Sequence, residues 1–128
     1  MSKTSVNARL AMIQALANFM DNGSQSATVI FYEGIQPANT SIAVDSNDAL
    51  VTLVFPEPCI KEVTPTYVEL HPTDTGSVIK TGTATWARIY NGAGEVAADL
   101  TVGTDISLAN TNLALGGTLS TTSIKLRP

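Results

Sequence analysis

After Gly23 the hydrophobic period of this chain changes from that of a helix to that of a strand, and no later segment changes it back. Before that point Val6, Leu10, Ile13, Leu16 or Ala17, and Met20 recur at three- and four-residue spacing and define one apolar face. Met12 and Phe19 fall beside the stripe and widen it. Ser5 suits the N-cap and Asn22-Gly23 the stop, so a helix is predicted from Ser5 to Met20. The first expectation is that it packs on a sheet of its own chain; the alternative is an arm docking onto a neighbouring subunit.

Beyond Gly23 the alternation has period two. "ATVIFY", Ala27 to Tyr32, is rich in β-branched and aromatic residues and reads as a strand. "ALVTLVF", Ala49 to Phe55, is the most apolar segment and is predicted to be a central strand. Pro56 and Pro58 end it, because proline has no amide to give a ladder. Ser41 to Val44 is a candidate for a further short strand inside a polar, turn-rich stretch. "CIKEV" and "TYVEL" follow, and "HPTDTG" is a loop. Ser77 to Tyr90 reads as one long strand, with Gly82 the place where it can break. Its second half puts Ala84, Trp86, Arg88 and Tyr90 on one face and Thr83, Thr85, Ala87 and Ile89 on the other. "EVAADLTVG", "DISL" and "TLSTTSIKL" complete the set.

Strands of this length with frequent turn signals, and no helix-length segments between them, disfavour a parallel α/β sheet. The predicted fold is mainly β: an antiparallel β-sandwich or small barrel, jelly-roll-like, with one N-terminal α-helix. The 128 residues suit a single domain, with residues 1–22 as helix or arm and residues 26–128 as the sandwich.

Charge narrows the partners. Only 14% of residues are charged, against about 25% in an average domain. Thr, Ala, Gly, Ser and Asn fill the gap, and such a surface is readily desolvated against another protein. The net charge is −4, and none of the seven basic residues stands next to another, so no stripe exists for nucleic acid. No apolar run approaches the ~18 residues of a membrane span. The start has no clean apolar run before a small-residue cleavage site, so a signal peptide is not expected.

The most chemical-looking motif is Gly92-x-Gly94-x-x-Ala97, which fits the dinucleotide pattern G-x-G-x-x-G/A. That loop requires a helix whose N-terminal amides face a pyrophosphate. Here Val96, Ala98, Leu100 and Val102 alternate with Ala97, Asp99 and Thr101, which is a strand. Asn91-Gly92 is instead a hairpin signal, since both residues tolerate positive φ. Asp45 and Asp48 read as an acidic turn lacking the spacing and glycine of a calcium loop. Glu69 and His71 share a strand face as a surface polar pair; zinc would need a third ligand, and there is no other histidine. Cys59, the single cysteine, has only Lys61 nearby to activate it and reads as a buried, inert thiol. Trp86 is a core residue first and an exposed stacking platform second. The residues thus describe a non-catalytic module with no cofactor and no metal.

One stretch carries a resemblance. Gly82, Ala84, Trp86, Arg88-Ile89, Gly94, Val102-Gly103, Asp105-Ile106-x-Leu108, Gly117 and the closing "SIKL" follow one another in Thr81 to Leu126. The opening adds a short helix, an Asn-Gly stop and a strand running into "YEGIQPAN". In this layout the chain resembles a group of small structural proteins of tailed bacteriophages. The resemblance implies a virion protein with no catalytic residues to carry over. Within that group it implies a head decoration, or cement, protein: made in the host cytoplasm, seated as a homotrimer on the capsid exterior, and clamping the major capsid protein. A tail, neck or baseplate role in the same virion is the runner-up. A carbohydrate-binding β-sandwich is the alternative from another class, and it requires an exposed aromatic platform or an ordered calcium site. Trp86, Arg88, Tyr90, Phe19 and Tyr32 are the expected interface residues. The helix or the loop from Gly34 to Asp48 is expected to reach the capsid. Arg88 is expected to have a carboxylate partner, with a neighbouring subunit as one place for it.

Overall fold

The computed structural model describes residues 5–108, 110–121 and 124–126. Helix α1 spans Val6–Met20, and the Oγ of Ser5 caps it by accepting from the Ala8 amide at 3.1 Å. Ala17 and Met20 enter the core, and Leu10, Ile13 and Leu16 pack half-buried against it. The predicted stripe is therefore anchored by its later turns. Val6 remains 48% and Met12 62% exposed, so Met12 does not widen the buried face as expected. Asp21 sits at the negative end of the helix dipole, where its carboxylate accepts from the Cys59 amide at 3.0 Å.

The strands follow as β1 (Thr28–Tyr32), β2 (Ala49–Val54), β3 (Ile60–Val63), β4 (Val68–Leu70), β5 (Gly76–Ser77) and β6 (Gly82–Thr83). After them come β7 (Trp86–Tyr90), β8 (Val96–Thr101), β9 (Asn112–Leu113), β10 (Thr118–Leu119) and β11 (Ile124–Leu126). A four-stranded antiparallel sheet runs β2-β1-β7-β8, and a three-stranded one runs β11-β4-β3. Two-residue ladders join β10 to β5 and β6 to β9. The molecule is mainly β with one N-terminal helix, a small β-sandwich.

Alternation in the larger sheet decides what is inside. Val29 and Phe31 lie opposite Leu53 and Val51 on one side and Ile89 and Ala87 on the other. All six are fully buried. Val68, Leu70, Ile124 and Leu126 close the core from the smaller sheet. Burying a side chain such as Phe31 or Leu53 contributes about 1.5–3 kcal/mol.

Three expectations change. Ala49–Val54 is an edge strand of its sheet, not a central one. Its apolar character comes from alternation with β-branched outward residues: Val51 and Leu53 point in, while Thr52 and Val54 are exposed. The free edge is covered by the returning chain, where Asp74 N donates to Val54 O and Ile79 N to Leu50 O. Ser41 to Val44 forms no strand. The side-chain Oδ1 of Asn39 takes the Ser41 amide at 3.0 Å, so this backbone is satisfied locally. Ser77 to Tyr90 is not one strand but the pieces β5, β6 and β7, which pair with β10, β9 and the main sheet respectively.

The Gly92–Ala97 motif lies between two antiparallel strands, β7 and β8. Its positive φ, +84°, falls at Gly94 and not at Asn91 or Gly92. The turn is longer than a two-residue one. Asn91 N donates to Glu95 O, and Asn91 Oδ1 accepts from the amides of Ala93 and Glu95. Gly92 answers a different demand: a Cβ there would overlap the carbonyl oxygen of Gln25. Gly23 is pressed equally close to Gly92 and Ala93, so the end of α1 and the β7–β8 turn meet glycine to glycine.

Candidate interaction surface

The outer face of the main sheet holds a polar–aromatic cluster built by strand register. Tyr32 lies opposite Trp86, and Arg88 lies opposite Asp99. The Tyr32 and Trp86 rings stack at 4.5 Å, with the Arg88 guanidinium 5.4 Å from the Trp86 centroid. Arg88 Nε donates to Asp99 Oδ1 at 2.6 Å and Nη2 to Oδ2 at 3.0 Å, a two-pronged grip. The hydrogen bonds from Arg88 to Asp99 hold its guanidinium pKa above the ordinary value. Burial, and then the Tyr90 hydroxyl at 3.2 Å, push the Tyr32 phenol upward.

This cluster holds down the loop 33–48. Arg88 Nη1 donates to Ile42 O at 2.9 Å, Thr101 Oγ1 to Gln36 Oε1 at 2.7 Å, and Thr85 Oγ1 to Gly34 O at 2.7 Å. Of the expected interface residues, Tyr32, Trp86 and Arg88 are therefore internal, at 2%, 3% and 2% exposure. Tyr90 is half-buried beside them, and Phe19 is half-buried on α1. The carboxylate partner of Arg88 is Asp99 of the adjacent strand, in its own chain. Counting outward from the Asn91–Glu95 turn would have set Arg88 opposite Ala98; an irregularity between Ile89 and Tyr90 moves the register by one and brings Asp99 opposite instead.

What this scaffold presents to solvent is a set of branched aliphatics on a sparsely charged background, where Lys80 is paired with Glu33. Ile35 is 94%, Leu115 67% and Ile79 65% exposed. Sequence reasoning named none of these three. The segments that carry them are stitched together. Lys80 Nζ donates to Glu33 Oε1 at 2.7 Å and to Asn47 O at 2.8 Å, and Leu115 N donates to Thr81 Oγ1 at 2.9 Å. The hydrogen bond to Glu33 raises the Lys80 pKa. Stretches 34–44, 81–87 and 106–124 contain no charged residue; the first carries Ile35 and the last Leu115, while Ile79 adjoins Lys80. For Ile35 and Leu115 the signal was present in sequence as these charge-free runs. Branched aliphatics on a hydroxyl- and amide-rich background can dock on another protein without stripping water from ions.

The other candidates are occupied structurally. Glu69 is 7% exposed with Lys61 at 3.8 Å, so it is not the surface residue expected. His71 follows β4, where its amide donates to Cys59 O. Asp45 caps the short 3₁₀ turn Ser46–Asp48 by accepting from the Asn47 amide. Among the described residues Phe31, Tyr32, Phe55 and Trp86 are buried, and Phe19, Tyr67 and Tyr90 are half-buried.

Cys59 is fully buried, and its thiol is pushed up to about 12, first by burial and then by the Asp21 carboxylate. The folded chain is expected to resist thiol labelling at pH about 8 and to react on unfolding, as colorimetric thiol titration reads. The raised value means stability is kept below the unfolded thiol's ordinary range and falls as pH rises from about 9 towards 12.

Comparison with protein-family models, with curated proteins and with solved structures gives no match in any of them.

Proposed function

We propose that this chain is a non-catalytic structural protein of a tailed-bacteriophage virion, a head decoration protein. It binds the capsid exterior as an oligomer, a homotrimer, and stabilises the shell. The observation that carries the reading is the exposure of Ile35, Ile79 and Leu115 on a sparsely charged surface, where Lys80 is already paired with Glu33. The layout from Gly82 to the closing "SIKL" supports it from the sequence side. A DNA-filled shell is under outward pressure, and a clamp works by adding buried area across seams between capsid subunits. An aliphatic, sparsely charged surface adds that area with little desolvation of ions. A net charge of −4 suits a protein that faces outward and must not bind the packaged genome.

Light scattering on the purified chain, with sedimentation against expanded capsids of the same phage, tests both parts. An oligomer that co-sediments with shells is expected. Ile79→Asp and Leu115→Asp alter side chains that are mostly exposed, so folding is retained. Each is expected to weaken capsid binding by about tenfold or more. A strictly monomeric chain with no affinity for capsids overturns the proposal. Density for this chain on the tail, neck or baseplate in a reconstruction of the virion would move it to the runner-up role.

A further inference from the structure

The chain has two Asn-Gly pairs, Asn22-Gly23 and Asn91-Gly92, and the fold treats them oppositely. The Asn91 side chain is buried and held by three hydrogen bonds, accepting from Ala93 N and Glu95 N and donating to Glu95 Oε1. Asn22 is exposed, and among the described residues its side chain has no hydrogen-bond partner. No backbone amide from Gly23 to Ser26 donates a hydrogen bond to a described residue, and Gly23 is held by packing on Gly92 and Ala93.

The geometry points to Asn22 as a site of spontaneous covalent modification through its own backbone. The Gly23 nitrogen attacks the Asn22 side-chain carbonyl carbon, and ammonia leaves with the proton that nitrogen gives up. Water then opens the five-membered imide at either carbonyl, giving aspartate or isoaspartate. Glycine permits the attack because it has no side chain to crowd the approaching nitrogen. At Asn91 the same reaction first requires breaking the turn that the side chain holds.

The site lies where a change is felt. Either product adds a negative charge beside Asp21 at the C-terminal end of α1, where the helix dipole disfavours it. Isoaspartate also lengthens the main chain at the point where Gly23 packs on Gly92. The modification thus loosens the joint between helix and hairpin. It does not depend on the virion reading.

The test holds the full chain folded in mildly alkaline buffer and follows both sites by peptide mapping with isoaspartate detection. Asn22 is expected to convert about tenfold or more faster than Asn91. In denaturant the two rates converge, since both are then open Asn-Gly sequences. Asn22→Gln, which replaces a side chain without a hydrogen-bond partner, stays folded and loses the modification at that position. Equal rates in the folded chain, a faster Asn91, or an Asn22 as inert as Asn91 each overturn the proposal.

Discussion

Gly92→Ala is expected to destabilise the chain by about 3 kcal/mol or more, the upper range for forcing atoms into a packed interior. The new methyl would overlap the Gln25 carbonyl oxygen and stand 2.7 Å from its carbon and 2.8 Å from Asn22 O. These are backbone atoms, so no side-chain rotation relieves the clash, and α1 has to part from the hairpin. Gly94→Ala is the control. Gly94 has φ +84° but nothing within 4 Å of a Cβ, so only the left-handed conformation is penalised, by about 1–2 kcal/mol. Urea denaturation of both variants reads the difference. Equal losses would mean that the glycine-to-glycine contact is not what holds the two elements together.

Arg88→Ala is expected to cost about 3–5 kcal/mol, because it leaves a carboxylate buried without its partner. The side chains of Arg88 and Asp99 are 3% and 7% exposed, so water cannot replace the lost contact. The same change removes the donor to Ile42 O, and the loop 33–48 should become sensitive to proteolysis. Replacing both partners by apolar residues, Arg88→Met with Asp99→Leu, should recover much of the stability, since no charge is then stranded. The loop contact with Ile42 would stay lost. Thermal denaturation separates fold from loop: the double variant should melt near the parent yet remain easier to cleave. If Arg88→Ala melts like the parent, the pair is not a stabilising element. With Ile35 carried by this loop, capsid binding is expected to fall in both variants.

Local pattern revealed most of the elements. The helix with its Ser5 cap, the strands around Val29 and Val51, and the strand nature of Val96–Thr101 all follow from hydrophobic period and turn residues. Those signals act within a few residues along the chain. The position of β2 at an edge was not legible, because alternation records which face of a strand is buried and not how many neighbours it has. The breaks that make β5 and β6 were equally hidden, since each turns to a partner far along the chain, Ser77 to Thr118 and Thr83 to Asn112. Among the site residues, Trp86 and Arg88 stood out by rarity, and rarity pointed to importance without saying whether they face in or out.

By itself the sequence determined a mainly β chain with one helix, a low-charge surface, and a glycine motif that belongs to a turn. These depend on composition and short-range periodicity, which folding does not alter. The tertiary structure alone decided that Tyr32, Trp86 and Arg88 pin a loop inside the subunit and that Ile35, Ile79 and Leu115 are left on the surface. It also decided that Gly92 is needed for contact with Gln25 and not for its own φ. The physical reason is the same in each case. Burial and close approach are properties of segments distant in sequence, and they exist only once the sheet register has brought those segments together.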